Sequence, residues 1–473
     1  MTAISNKIYR ILCEKKSFYI LLALNFIISV VVFYLYRNQK GSDFYSYMGL
    51  ADGLAQGKYS YWWFLPEYIP DTVRNPGYPL FLYALKSIYN NVMFVITVQL
   101  ALYFTSIWMI TKIIDKHDKG YGIKNLFLLM LIPHIQFPIY AALIFPEILT
   151  LFLITLFIYI DIKMDSSKWL KYILSAFLFG CIFQVRPIFF FLPFLKFAVD
   201  WVIKKREFPF IKNVIVLVIF LLTTIPYGYW NYKHHEIFKI TSLEGGAGLV
   251  HAGYWAFKMP NYTATRYWIT QSPDEIISFV NKRDIDKNIN IFNKEWDYID
   301  SHCAEYLTHR DEIMLNAWKT HPELFKTYNA KYTIEREKLL RESLISYLKK
   351  DMLFMVKTKI YTAVRLWVTG IQVRDVKGTK NIAEKIKAVY PFFITLITFL
   401  LAVIFIPHAF IKKKIAFSEV SMTLLSIIYF GLIYIPFSVQ ARYTIPVRML
   451  LLFLISYALI KLFCQEENCG TYC

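Results

Sequence analysis

The sequence predicts an all-α polytopic membrane protein, and three observations carry that reading. Of its 473 residues 56% are apolar, 40 Phe and 35 Tyr among them, and only 18% are charged. An average soluble protein is about 45–50% apolar and ~25% charged. Apolar runs of about 20 residues, enough to cross a hydrocarbon core of roughly 30 Å, recur along most of the chain. The third observation is where the charge sits: the formal excess of +19, from 53 Lys and Arg against 34 Asp and Glu, is gathered into short loops. Secreted proteins, soluble enzymes and nucleic-acid-binding domains fit this composition poorly, so nucleic acid is not an expected partner.

In chain order the apolar runs predict spans at 18–36, 92–111, 124–142, 144–162, 169–185, 187–203, 211–230, 389–411, 418–437 and 443–463. The first follows a basic stretch and lacks a small-residue cleavage site, so it reads as a retained signal anchor. The stretches 78–90 and 353–370 read as interfacial or partly inserted helices, because counting either alone as a crossing would move downstream basic loops to the other face. The expected count is ten, and up to thirteen are compatible with helices hidden inside a bundle. Ten crossings put both termini in the cytoplasm. They also put there Lys7, Arg10, Lys15 and Lys16, then Lys112, Lys116, Lys119 and Lys124, then Lys204, Lys205, Arg206 and Lys212, and Lys412 to Lys414. Short basic loops stay cytoplasmic, whereas long segments cross whatever their charge. The long polar stretch 231–351 holds 17 Lys/Arg and 17 Asp/Glu and is neutral overall.

Three modules follow: 1–230, a transmembrane module with an aromatic first outer loop at 37–91; 231–388, a mixed extracytoplasmic domain with interfacial helices; and 389–473, a second transmembrane module. Of the six cysteines, only Cys303 lies in the polar stretch, so no disulfide framework is visible beside Cys13 and Cys181. The tail cysteines Cys464, Cys469 and Cys473 have spacing a metal could use, but no histidine accompanies them, and they read as reduced thiols.

No Walker loop, GxSxG elbow, HExxH or GxGxxG pattern occurs where it could work, so chemistry must come from scattered polar residues at the outer face. Asp43 follows the first span among Phe44, Tyr45 and Tyr47. Partial desolvation there would raise its pKa and suit it to act as a general base. A solvated loop acid or a helix N-cap before FYSYMGLADGL accounts for it as well. Arg74 precedes a Pro-Gly-Tyr-Pro turn and either clamps a phosphate with paired hydrogen bonds or snorkels as an anchor. Glu147 opens an uncharged span, a costly placement that suggests function, although a helix N-terminus also favours an acid. His134, at the end of the preceding span, reads as structural. Arg186 and Arg442 interrupt apolar sequence at outer span ends, against the positive-inside bias, which points to a fixed anionic partner. His234, His235, Glu236 and His251 lie around the Gly-rich turn EGGAG (244–248), with spacing that fits no familiar metal site.

In order, these fragments resemble the GT-C class of integral-membrane glycosyltransferases, closest to the bacterial branch related to protein O-mannosyltransferases and the lipid A aminoarabinose transferase. The series is D-x-x-x-Y with A-x-x-L-x-x-G (Asp43, Tyr47, Ala51, Leu54, Gly57) and R-x-PGYP (Arg74, Pro76, Gly77, Tyr78, Pro79). P-E-x-L follows at Glu147 and R-P at Arg186 and Pro187. P-x-x-x-W-N then comes at Pro226, Trp230 and Asn231, with the turn Gly245 to Gly248, and R-Y-x-x-P closes the series at Arg442, Tyr443 and Pro446.

The resemblance implies a GT-C-like helix bundle of about 10–13 spans in the plasma or inner membrane, with an extracytoplasmic site. It implies inverting transfer of a sugar from a polyprenyl-phosphate carrier to a cell-envelope glycan, lipid or protein. Asp43 would be the base, and Arg74, Arg186 and Arg442 would hold the donor phosphate. Tyr47, Tyr78, Glu147, His251 and Tyr443 are substrate-binding candidates. Two departures, Phe44 after Asp43 and Val73-Arg74-Asn75 before the turn, leave the acceptor class and a divalent metal open. A lipid-linked-sugar flippase or transporter, and an O-antigen-type polymerase or ligase using diphosphate-linked donors, are the rival readings. No internal repeat of the kind common in transporters is found.

Overall fold

A computed structural model describes residues 11–118, 120–259, 282–370, 378–437 and 441–463. Lys7, Arg10, Lys119 and the tail cysteines Cys464, Cys469 and Cys473 lie outside the described residues. The chain opens with α1 (Lys15–Tyr36), a short α2 (Phe44–Ala55), a loop through 56–76 and α3 (Gly77–Ile88). The bundle continues with α4 (Val92–His117), α5 (Gly122–Leu131), α6 (Gln136–Ala141), α7 (Glu147–Lys163), α8 (Trp169–Val185), α9 (Leu192–Lys204) and α10 (Phe210–His235). The polar stretch supplies α11 (Gly246–Trp255), α12 (Lys282–Cys303), α13 (His309–Trp318), α14 (Ala330–Lys350) and α15 (Met352–Trp367). Three membrane helices end the fold: α16 (Ile382–Ile411), α17 (Phe417–Tyr434) and α18 (Ile445–Phe463). No strand occurs among the described residues, and the described part of 231–388 is helical.

Among the described residues, six helices are long and apolar enough to cross a membrane: α1, α4, α10, α16, α17 and the last, counted from Arg442. The other four predicted spans are shorter or broken. α7 and α8 have 17 residues each, and α9 has 13. The third predicted span, 124–142, divides into α5 and α6 around Pro133, whose ring has no N–H to continue the ladder. A break buried in a bundle must satisfy its backbone groups from within the protein. Gln99 does so on one side, its amide donating to the carbonyls of Ala141 (3.1 Å) and Leu143 (2.8 Å). The Tyr390 hydroxyl donates to the Pro133 carbonyl at 2.7 Å.

α18 is apolar all round and buried along almost its whole length, which makes it the axis of the membrane core. α1, α10 and α16 are peripheral and present Phe26, Ile27, Leu222, Ile225, Ile397 and Val403 outward, as lipid-facing helices must. A second core joins α11, α12, α14 and α15 through Trp255, Phe292, Trp296 and Leu340. A third packs the first loop (Tyr59, Tyr61, Trp62) on Tyr227 and Met314. The Trp62 indole donates to the Phe325 carbonyl at 3.1 Å, fastening that loop to the polar segment.

The two ends of the bundle differ. At one end lie the α4–α5, α7–α8 and α9–α10 connections, tied by Lys116 to the Ile162 carbonyl and by Lys212 to the Ser167 carbonyl. A buried chain of ion pairs also runs there, Lys171–Asp161–Lys196–Asp200. At the other end the helix termini bearing residues 43, 147, 186, 434 and 442 meet the loop 56–76 and the polar segment.

Candidate active site

That second end encloses a cavity of about 560 Å³, within the roughly 300–1,000 Å³ usual for ligand sites. Asp43, Tyr47, Arg74, Glu147, Arg186, Arg442 and Tyr443 all line it, although 399 positions separate Asp43 from Arg442 in the chain. Asp43 holds the N-cap position of α2 but its side chain makes no capping bond, and it is 3% exposed, so it is neither a capping side chain nor a solvated loop acid. One carboxylate oxygen lies 3.2 Å from Arg74 Nη2 and the other 3.1 Å from Arg442 Nη2. Burial raises the Asp43 pKa, but the charges of Arg74, Arg442 and Arg186 outweigh it and hold the carboxyl below its ordinary value. The expectation of a raised pKa is therefore reversed. Aromatic rings and the three arginines are present as foreseen, but the sequence does not announce that two of the guanidiniums pair directly with the carboxylate.

Glu147, at the start of α7, is 1% exposed and accepts from Arg186 Nη2 at 2.6 Å. Arg442 Nε lies 3.7 Å from the same oxygen, so Arg442 bridges both acids. Arg186 also donates to the Tyr434 hydroxyl at 2.9 Å, and Tyr434 stacks on Tyr443. Aromatic faces back the guanidiniums: Phe145 lies 4.3 Å from Arg442, and Tyr47 lies 5.0 Å from Arg74.

The loop 56–76 fixes Arg74 through its backbone. Asp71 Oδ2 accepts from the Val73 and Arg74 amides at 3.1 and 2.8 Å. The Tyr59 and Tyr227 hydroxyls donate to the Arg74 carbonyl at 2.9 and 3.0 Å. Asp71 is fully buried, and burial pushes its carboxyl up to about 7 despite those amides and the Arg74 charge.

Two substrate-binding candidates are not among the residues lining this cavity. Tyr78 is buried and donates to Gln99 Oε1 at 2.7 Å, orienting the amide that satisfies the broken helix before Glu147. Its ring packs edge-to-face on Tyr47, one layer behind the cavity wall. His251 is wholly buried in the second core, accepting from Trp255 Nε1 at 3.1 Å and facing Glu295 at 3.1 Å. Neither of these two expected residues lines the cavity that holds Asp43. His134 pairs with Thr398 at 3.1 Å, and His235 reaches the Asp71 carbonyl at 3.1 Å, so both are scaffold residues. Among the described residues no three His, Cys, Asp or Glu side chains gather as a metal site would need. Asp43 and Glu147 are enclosed by cations, which does not fit a divalent metal.

Sequence reasoning missed Tyr434, Asn75, Ser242 and Glu244, which also line the cavity. Tyr434 gives no signal, being one of many tyrosines in apolar helices. Glu244 had one: an acid abutting a Gly-rich turn just after a chain leaves the membrane.

Fold and site together define a multi-pass helical membrane protein with an arginine-rich, acid-containing cavity at one membrane face. No family model matches the chain, and no curated protein sequence matches it. Among solved structures it is similar to ArnT from Cupriavidus metallidurans bound to undecaprenyl phosphate, at 11% identity and a TM-score of 0.38, covering 94% of this chain and 77% of that one.

Proposed function

We propose that the chain is an inverting glycosyltransferase that moves a sugar from a polyprenyl-phosphate carrier to a cell-envelope acceptor. The observation that carries this reading is the seating of Asp43 between Arg74 and Arg442, in one cavity with Glu147 and Arg186. A lone buried acid needs no more than one partner, and a simple lipid anchor needs no acid. An acid shared among guanidiniums at a membrane face suits a reaction in which a phosphate and a proton move together.

The charge balance supports a single phosphate. The charged residues lining the cavity are Asp43, Glu147 and Glu244 against Arg74, Arg186, Arg442 and Lys239, a net single positive charge. A sugar linked through a phosphodiester brings one negative charge and neutralises it, whereas a diphosphate carrier would leave an excess. In the reaction the acceptor O–H gives its proton to the Asp43 carboxylate as its oxygen attacks the anomeric carbon. The bond from that carbon to the phosphate oxygen breaks, and its electron pair leaves with the phosphate. Asp43 loses a negative charge as the phosphate gains one, so the total in the cavity stays constant while the arginines stabilise the leaving group.

The test is transfer from a polyprenyl-phosphate-linked sugar by purified protein in lipid. Asp43→Asn removes the base but leaves the guanidiniums, so transfer falls by about 10²–10⁴-fold with carrier binding kept. Full transfer by the variant would remove Asp43 from that role.

A further inference from the structure

We propose that the turn at 241–246 seats the carrier's sugar ring, with Glu244 as the residue that selects it. This rests on the carrier reading above. Thr241, Ser242, Glu244, Gly245 and Gly246 line the same cavity as the arginines, and an anomeric carbon lies one oxygen away from the phosphate they would hold. A ring bound there has to lie against a neighbouring wall of that cavity.

Three features of the turn suit a neutral, hydroxylated ring rather than a second phosphate. First, the anion-binding start of α11 is already filled: Glu337 accepts from the Gly245 and Ala247 amides at 3.3 and 2.9 Å. Second, Glu244 adds a carboxylate, held from behind by an ion pair with Arg336. An ionised carboxylate only accepts, so it reads the O–H groups of a ring and repels a phosphate.

The third feature is bare backbone. Gly245 has φ +145°, a conformation that demands glycine. Gly246 has no such need: its φ is not in the left-handed region, and a Cβ there would meet no protein atom within 4 Å. Neither packing nor backbone explains the missing side chain, and the residue is exposed to open space. A ring lying flat on the shelf does explain it.

The shelf is also rigid. Asn231 donates to the carbonyls of Lys239 and Thr241, Asn75 accepts from the Ser242 amide at 2.9 Å, and the Glu244 amide donates to the Thr72 carbonyl at 2.9 Å. The selecting carboxylate is thereby fastened to the strip that carries Arg74.

The experiment uses the full chain in nanodiscs and measures binding of bare undecaprenyl phosphate and of a panel of polyprenyl-phosphate-linked hexoses that differ in single hydroxyl configurations. Wild type is expected to separate the best and worst hexose by about tenfold or more, as one lost hydrogen bond to a charged group would produce. Glu244→Gln, nearly isosteric, and Gly246→Leu, which fills the shelf, should each collapse that separation. Bare carrier, whose binding also reports folding, should keep its affinity in Gly246→Leu and bind at least as tightly in Glu244→Gln, which removes a charge that repels phosphate. Unchanged discrimination in both variants overturns the proposal. So does parallel loss of bare-carrier binding by Glu244→Gln, or discrimination left intact with only the KM for acceptor altered, which would give the turn to the acceptor. A wild type that binds neither bare nor sugar-loaded carrier defeats the transfer reading itself.

Discussion

Asp43 sits in a contest between burial and three positive charges, and the charges prevail. Its folded-state pKa is depressed, so it contributes stability that is present above the unfolded value of about 3.9 and is lost as pH falls through the folded value. For catalysis the same shift makes Asp43 a weak base while both its oxygens are paired. A carrier phosphate competes for Arg74 and Arg442 and adds a negative charge beside the carboxylate, and both effects raise its pKa. The expected outcome is two different acid limbs. In the pH profile kcat/KM, which reports the unliganded enzyme, should stay level down through the ordinary carboxylate range, while kcat, which reports the complex, should begin to fall at higher pH. Coincident limbs would mean that phosphate does not relieve the pairing. At this scale the sequence revealed which residues are unusual for their positions, because a charge at a span end is costly wherever it goes. It did not reveal the sign of the Asp43 shift, which depends on Arg442 arriving from 399 positions away.

The elements that carry those residues meet at small tolerances, and Gly77 shows how small. A Cβ at this first residue of α3 would lie 2.4 Å from the Gln184 carbonyl carbon and 2.5 Å from the Val185 nitrogen. Both are backbone atoms at the end of α8, so neither can turn aside. Arg74 sits three residues before Gly77, and Arg186 follows Val185, so this contact sets the spacing of two cavity arginines. Gly77→Ala should lower stability by about 1–3 kcal/mol, as overpacking does, and weaken carrier binding at the same time. Thermal denaturation in lipid and carrier titration check the two effects, and a variant with wild-type values for both would show that α3 and α8 are not in register through this glycine. The Pro-Gly-Tyr-Pro motif was conspicuous in the sequence, but its purpose was not. Pro76 and Pro79 mark the turn into a helix, whereas Gly77 answers to a backbone more than a hundred residues away, and Tyr78 answers to Gln99. Apolar runs located the six described helices that are long enough to cross a membrane, since hydropathy is local. They did not predict the break at Pro133, because a proline in an apolar run breaks or merely bends a helix according to whether partners such as Gln99 and Tyr390 are at hand.

Across the whole molecule, the cavity and the basic loops occupy opposite ends of the bundle. Lys112, Lys116 and Lys124, the stretch 204–212 and Lys412 to Lys414 fall at the other helix ends, while the end of loop 56–76, the turn at 239–245 and the start of α11 line the cavity with Asp43. If the basic end is cytoplasmic, as short basic loops require, the cavity opens outward. A transferase working there would be cut off from soluble nucleotide-linked donors, which agrees with the lipid-delivered phosphate proposed for the cavity. Orientation is therefore a test of the chemistry as well as of the topology. Single cysteines at the exposed positions Gln56 and Lys319, in a background without the native six, should react with a membrane-impermeant maleimide on intact cells. Cysteines at the exposed positions Ser167 and Lys412 should react only after permeabilisation. The inverse pattern would place the cavity where nucleotide sugars abound, and three arginines around Asp43 and Glu147 would then need a different anion to explain them.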